Sequence, residues 1–155
     1  PFIDLSMGRK LVIITGPTAV GKTDFCIEAA LKYGSPVISC DSRQIYKEMT
    51  IGTAVPDASQ LAAVKHYFIH SIHVTEPYSS GQYEIDALAL IDRLFSEGRE
   101  TLVMCGGSGF YIDAVCNGLD CLPVPPPELR EELTQRVKTE GVGALAEELR
   151  RQQSR

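Results

Sequence analysis

Eight consecutive residues, Gly16-Pro17-Thr18-Ala19-Val20-Gly21-Lys22-Thr23, fit the pattern G-x-x-x-x-G-K-[ST]. Glycines let successive backbone N–H groups face an anion, and a helix starting immediately afterwards points its positive end at the same place. Lys22 adds a mobile point charge, and the Thr23 hydroxyl is a hard oxygen ligand of the kind Mg²⁺ takes. The pattern predicts a cradle for a di- or triphosphate group. It does not say which reaction the cradle serves.

A second group of chemical residues follows. Asp41 closes the apolar segment Pro36-Val37-Ile38-Ser39-Cys40, and Gly106-Gly107-Ser108-Gly109 closes another, Thr101-Leu102-Val103-Met104-Cys105. In a parallel sheet the carboxyl ends of the strands line one crevice, so Asp41 and Ser108 are expected beside the phosphate loop. A carboxylate there can hold Mg²⁺ through water or accept a proton from a substrate amine or hydroxyl. It can equally cap a helix starting at Ser42-Arg43-Gln44. The glycine-rich run can face a second ligand or serve only as a tight turn. His66, His70 and His73 are spaced by four and three, but no cysteine or acidic cluster accompanies them, so no metal site is assigned to them.

These residues need an α/β framework. Leu11-Val12-Ile13-Ile14-Thr15 reads as a strand buried on both faces, and a helix is expected from about Lys22, with Phe25, Cys26, Ala29 and Ala30 on its apolar side and a stop at Gly34. Strand, helix and strand within about thirty residues form a βαβ unit with a parallel sheet and right-handed crossover. His66 to Ile72 is a further strand or an irregular crossing. Tyr83 to Phe95 is a helix with Ile85, Leu88, Ile91, Leu94 and Phe95 inward, and another helix opens near Phe110. The fold class is therefore α/β, a P-loop type of parallel sheet flanked by helices. Leu122-Pro123-Val124-Pro125-Pro126-Pro127 is an extended connector, Pro127 begins a helix running to about Lys138, and a last amphipathic helix covers Ala144 to Arg151. An incomplete core over residues 10–121 and the start of a helical insertion over 122–155 describe this organisation.

Composition narrows the function classes. A length of 155 residues suits one domain, and no apolar run approaches the roughly 20 residues of a membrane span. The first ten residues lack a basic region followed by an apolar stretch, so no signal peptide is expected, and Met7 is a candidate natural start. The net charge of -5 offers no general attraction for nucleic acid, which confines any such site to a local patch. Five cysteines without a Cys-x-x-Cys pair favour a reduced, cytoplasmic protein, with Cys40 and Cys105 as small buried hydrophobes.

Taken in order, GPTAVGKT, DSRQIYKEMTIGTA, EPYSSGQY and GGSGFY resemble the tRNA dimethylallyltransferases, also called tRNA isopentenyltransferases, from about Lys10 to about Leu133. The resemblance implies transfer of a dimethylallyl group from dimethylallyl diphosphate to N6 of adenosine 37 in tRNAs that read codons beginning with U. It implies that residues 16–23 bind the diphosphate with Mg²⁺ at Thr23, that Asp41 and Ser108 are catalytic, and that Asp41, Ser42, Arg43, Gln44, Ser108 and Arg130 meet the tRNA. An amide such as Gln44 is able to pair with an adenine edge. A cytoplasmic monomer with no membrane association is expected.

Three positions depart from the family pattern. Ser108 keeps the hydroxyl of a family threonine but loses the β-methyl that restricts its rotamer. Phe110 stands where an aliphatic residue is usual, and Val55 replaces the lysine of IGTAKP. Members of the family run to about twice this length, with the helical insertion followed by a returning core segment, so the 155-residue chain alone is expected to be inactive. Competing readings are a small-molecule kinase, which shares the loop and a strand-end Asp, an adenylate isopentenyltransferase acting on free AMP, ADP or ATP, and a phosphate-binding module without turnover.

Overall fold

The computed structural model describes residues 8–17, 20–119 and 125–153. Thr18, Ala19 and residues 122–124 of the proline-rich connector lie outside the described residues. The chain divides into two compact units, Pro1–Leu119 and Asp120–Arg155.

The first unit contains β1 (Lys10–Thr15), α1 (Lys22–Tyr33), β2 (Val37–Ser39), α2 (Ala58–Ala63), β3 (His66–Tyr67), α3 (Ser80–Ser96), β4 (Thr101–Gly106) and α4 (Gly109–Asn117). The strands form one parallel sheet in the order β1-β4-β2-β3. Parallel pairing is as expected, but β1 and β2 are not neighbours. The last strand, β4, inserts between them, pairing Leu11 with Leu102 on one side and Val37 with Val103 on the other.

Central position decides which strand is buried. Leu102, Val103 and Met104 are fully buried, whereas Leu11 to Ile14 of β1 are only half-buried. The expectation of two-sided burial for β1 therefore fails. Among the described residues this strand has a neighbour on one side only, and the helices cover the middle of the sheet more fully than its margin.

Alternation along β4 sorts the core into two layers. Leu102 and Met104 face α3 and α4, packing with Tyr83, Leu88, Ile91, Leu94 and Tyr111, while Val103 faces α1 with Ile27 and Ala30. Each fully buried aliphatic side chain contributes about 1.5–3 kcal/mol relative to exposure. Two helical positions expected inside lie outside: Phe25 is 61% exposed and Ile85 64%. On α1 the buried residues are Cys26, Ile27 and Ala30, so the inward stripe is turned by about one residue from the one expected. On α3 the inward stripe includes Ala87 and Leu90 and passes Ile85 by.

Two further expectations change in detail. Residues 42–45 form turns and no helix, and the 66–72 segment is a two-residue strand followed by an isolated bridge between Tyr46 and Ile72. In the second unit, α5 (Pro127–Glu140) and α6 (Val142–Gln153) are polar helices joined at Gly141. Arg136 of α5 pairs with Glu140 of the same helix at 3.1 Å and links to α6 through Glu148 at 2.8 Å, and Pro127 occupies the first turn of α5 as expected. Among the described residues no helix is long and apolar enough to cross a membrane.

Candidate active site

The carboxyl ends of β1, β2 and β4 converge on one cavity of about 270 Å³. Gly16, Gly21, Lys22 and Thr23 of the phosphate loop line it together with Asp41, Gly106 and Gly107. The loop, the strand-end carboxylate and the glycine-rich turn are thus brought together as the sequence predicts. Gly21 sits at φ 82°, a left-handed conformation open to glycine, and begins α1 without a capping side chain. The first amides of α1 are left to an incoming anion. Lys22 Nζ donates to the carbonyl of Pro17, folding the ammonium back over the loop.

Asp41 is held by its own turn. Its Oδ1 accepts from the backbone N–H of Arg43 at 2.8 Å and of Gln44 at 3.3 Å, while Oδ2 has no hydrogen-bond partner among the described residues. This is capping geometry without a helix, and it leaves the second oxygen available for chemistry. Ser108 begins α4 and accepts from Ser42 N–H at 2.8 Å while its hydroxyl donates to Ser42 Oγ at 3.0 Å. The strand-end segments are further clamped by Cys40 N–H to the Cys105 carbonyl at 2.8 Å and Ser108 N–H to the Cys40 carbonyl at 3.1 Å.

Gly106 permits that clamp. A Cβ at this position would stand 2.5 Å from the Cys40 carbonyl carbon and 2.9 Å from the Asp41 nitrogen. The first glycine of GGSG is therefore a close-approach residue that sets the position of Asp41, a role the sequence alone does not distinguish from a tight turn.

A second cavity, of about 510 Å³, adjoins the same two segments and is lined by Ser42, Ser108, Tyr46, Tyr78, Phe110 and Tyr111 among others. Sequence reasoning assigns no role to Tyr46 or Tyr78, although both sit in quoted motifs. Tyr111 stacks on the buried Tyr83 at 4.0 Å between ring centroids, and Tyr83 donates to the Ser39 carbonyl at 2.9 Å. Burial pushes the Tyr111 phenol up to about 12, with the neighbouring Tyr46 and Asp41 adding to the effect, so it stays neutral. Burial, then the adjacent Asp41 charge, likewise pushes the Cys40 thiol up to about 12, which makes it an inert core residue.

The remaining predicted residues fall as follows. Arg43 is exposed beside Asp41, and Arg130 lies on α5 in the second unit, also exposed. Gln44 lines the first cavity, but its amide is bonded inside the protein, to Ser39 and to the carbonyls of Thr53 and Ala54. Phe110 is 78% exposed at the rim of the second cavity. His73 binds Glu48 at 2.6 Å and Lys47 at 3.1 Å, and His66 bonds the Val64 carbonyl at 2.8 Å. Contrary to the expectation for Cys105 as a lone hydrophobe, Cys26 and Cys105 are joined as a disulfide that lines the first cavity.

The family described as IPP transferase matches residues 44–155. A protein named tRNA dimethylallyltransferase 2 from Parabacteroides distasonis is 46% identical over 142 residues, which cover 92% of this chain and 47% of that protein. The crystal structure of a full-length tRNA isopentenylpyrophosphate transferase from Bacillus halodurans superposes with a TM-score of 0.70 at 36% identity, covering 91% of this chain and 46% of its own. A eukaryotic dimethylallyltransferase described as acting on tRNA gives 0.63 at 26% identity, over 77% of this chain and 29% of that one. The chain spans about half the length of the curated relatives it matches.

Proposed function

The chain belongs to the IPP transferase family, and on that premise we propose that the complete protein transfers a dimethylallyl group from dimethylallyl diphosphate to N6 of adenosine 37 in tRNAs reading codons that begin with U. The observation that carries this reading is the pair of cavities flanking the Asp41-Ser42 turn, Asp41 lining one and Ser42 with Ser108 the other. One is built for a diphosphate. The other is walled by tyrosines and serines that suit a flat, polar base. A kinase needs no aromatic cavity beside its strand-end carboxylate.

The chemistry follows from that placement. The N6 lone pair forms a bond to the first carbon of the allylic chain as the C–O bond breaks, and the electron pair of that bond leaves with the diphosphate. The N6 proton passes to the free Oδ2 of Asp41, whose other oxygen is fixed by two backbone amides. The amides at the start of α1 and Lys22 stabilise charge growing on the leaving group. Ser108 and Ser42 orient the amine side of the base, and Ser42, Arg43 and Arg130 contact the tRNA. Thr23 lines the same cavity and offers a hard oxygen donor, which fits Mg²⁺ when substrate phosphates and water supply the further ligands. Bound there, Mg²⁺ would supply charge neutralisation for the diphosphate.

A cytoplasmic monomer suits this role. In that compartment Cys26 and Cys105 would be held as a dithiol. The test is a transfer assay with labelled dimethylallyl diphosphate and an unmodified tRNA reading a UNN codon, run on this chain and on the complete gene product. Label in tRNA with the complete protein supports the reading, and unlabelled tRNA, together with phosphate transfer from ATP to a small acceptor in a parallel reaction, would overturn it.

A further inference from the structure

We propose that Gln44 is a positioning residue that holds the Thr53–Ala54 wall of the phosphate cavity against the Asp41 turn, and that it does not read a nucleic-acid base. Its carboxamide has two N–H donors, and both are used: Nε2 donates to the Thr53 carbonyl at 3.1 Å and to the Ala54 carbonyl at 3.0 Å. Its Oε1 accepts from Ser39 Oγ at 3.2 Å at the end of β2. Recognition of an adenine edge needs a donor and an acceptor together. To supply them, Gln44 would have to release the carbonyl of buried Thr53, a cost proteins avoid, as well as that of exposed Ala54.

The backbone of the same residue completes the junction. Gln44 N–H donates to Asp41 Oδ1 at 3.3 Å, and its carbonyl accepts from His70 N–H at 2.9 Å. One residue thus ties the end of β2, the Asp41 carboxylate, the 53–54 wall and the 70–72 crossing. The wall has need of such a tie. Ile51 is 94% exposed, Gly52 and Ala54 both have positive φ, and Ala54 at 50° is a conformation that residues with a Cβ seldom adopt unaided. The other side-chain restraint on the turn is Thr53 Oγ1, which donates to the Met49 carbonyl at 2.6 Å. Thr53 and Ala54 line the same cavity as Asp41 and Lys22.

The proposal rests on reading this cavity as a diphosphate site, so the experiment separates the two. Gln44→Met keeps the length of the side chain and removes both donors, and Gln44→Glu keeps an acceptor while placing charge against two carbonyl oxygens. The ¹H–¹⁵N heteronuclear NOE of residues 51–55 is measured on the 155-residue chain and its variants, independently of any activity. A fall to the values of a mobile loop, confined to that segment, is expected. Wild-type NOE values in both variants would overturn the proposal. In the wild-type chain, the ¹⁵N side-chain amide of Gln44 should stay protected and unshifted on addition of AMP, which covers the case where a variant does not fold; a shift there would also overturn it. In the complete protein, Gln44→Met should raise the KM for dimethylallyl diphosphate about tenfold with tRNA affinity within twofold of wild type. The reverse pattern, weakened tRNA binding with an unchanged diphosphate KM, would assign Gln44 to base reading. A wild-type protein that transfers nothing sinks the function but leaves the NOE result to decide Gln44.

Discussion

Ser42 and Ser108, 66 positions apart, exchange two hydrogen bonds, one from the Ser42 backbone N–H at 2.8 Å and one between the hydroxyls at 3.0 Å. The pair joins the turn after β2 to the start of α4, and both members line the aromatic cavity. Ser108→Ala removes the acceptor for an exposed N–H, which water can replace at a net cost of about 1 kcal/mol. Its larger effect should be on the alignment of the amine. Transfer by the complete protein is expected to drop about tenfold in Ser108→Ala, while Ser108→Thr, which keeps the hydroxyl and stiffens χ1, should exceed the alanine variant by a similar factor. Equal rates in the two variants would remove Ser108 from the site.

Gly106→Ala tests the close approach. The added methyl meets the Cys40 and Asp41 backbone at 2.5–2.9 Å, and neither neighbour is a side chain able to swing away. Overpacking of this kind costs about 1–3 kcal/mol, and the shift it forces moves Asp41. A lower melting temperature with at least tenfold slower transfer is expected. Gly107→Ala, whose Cβ meets its nearest neighbour at 3.8 Å, should melt like wild type.

His66 gives the site an acid limit. Burial holds its imidazole below the ordinary value of 6.5, partly offset by the bond from Nδ1 to the Val64 carbonyl. A group whose pKa is lowered on folding adds stability above its unfolded pKa and loses it as pH falls through the folded one. Chemical unfolding midpoints measured downward from pH 7 should therefore decline below about 6.5 in the wild type, and His66→Asn, which can keep the donor to Val64, should flatten that part of the profile. An unchanged slope would locate the acid sensitivity elsewhere.

Much of this arrangement is legible in the sequence because it depends on local pattern. The phosphate loop, the strands ending at Asp41 and Cys105, and the helices from Lys22 and over Tyr83 to Phe95 all follow from runs of apolar residues and their punctuation. Insertion of β4 between β1 and β2 is different. It depends on which strand buries the most apolar surface in the assembled sheet, and no local spacing encodes it. The outward turn of Phe25 and Ile85 has the same origin, since an apolar residue one step off the stripe looks inward until the packing partner is known. Ser42 with Ser108, and Gln44 with Ala54, are contacts between segments that the chain brings together only at the strand ends. Cys26 and Cys105 are a further case, because a pairing across α1 and β4 requires knowing that α1 lies on β4.

That sulfur pair is open to direct test. Among the described residues Cys40 and Cys116 are free and Cys26 and Cys105 are bonded, so alkylation of the chain unfolded without reductant should label Cys40 and Cys116 and leave Cys26 and Cys105 unlabelled. The bond closes a separation of 79 residues, and chain-entropy arguments put its effect at about 4 kcal/mol. Addition of dithiothreitol should accordingly lower the unfolding midpoint, and Cys26→Ser should melt equally with or without reductant. Labelling of Cys26 and Cys105 in the untreated chain would show the pair to be a dithiol in solution.

Asp41→Asn is the sharpest test of the chemistry because the structure separates the two oxygens of the carboxylate. Oδ1 accepts from Arg43 and Gln44 and maintains the turn, a task the carbonyl oxygen of asparagine performs equally well. Oδ2, unbonded among the described residues, becomes an NH₂ that can neither accept the N6 proton nor stabilise the cation left on the amine. The variant should melt within about a degree of wild type and bind diphosphate and tRNA with little change, while transfer falls about 100-fold or more, as expected for loss of a general base. Asp41→Ala should add a structural defect, since losing a cap of this kind costs about 1 kcal/mol. The comparison of the two isolates the base from the turn. Turnover by Asp41→Asn at the wild-type rate would mean that the proton leaves by another route and that Asp41 serves only to shape the turn.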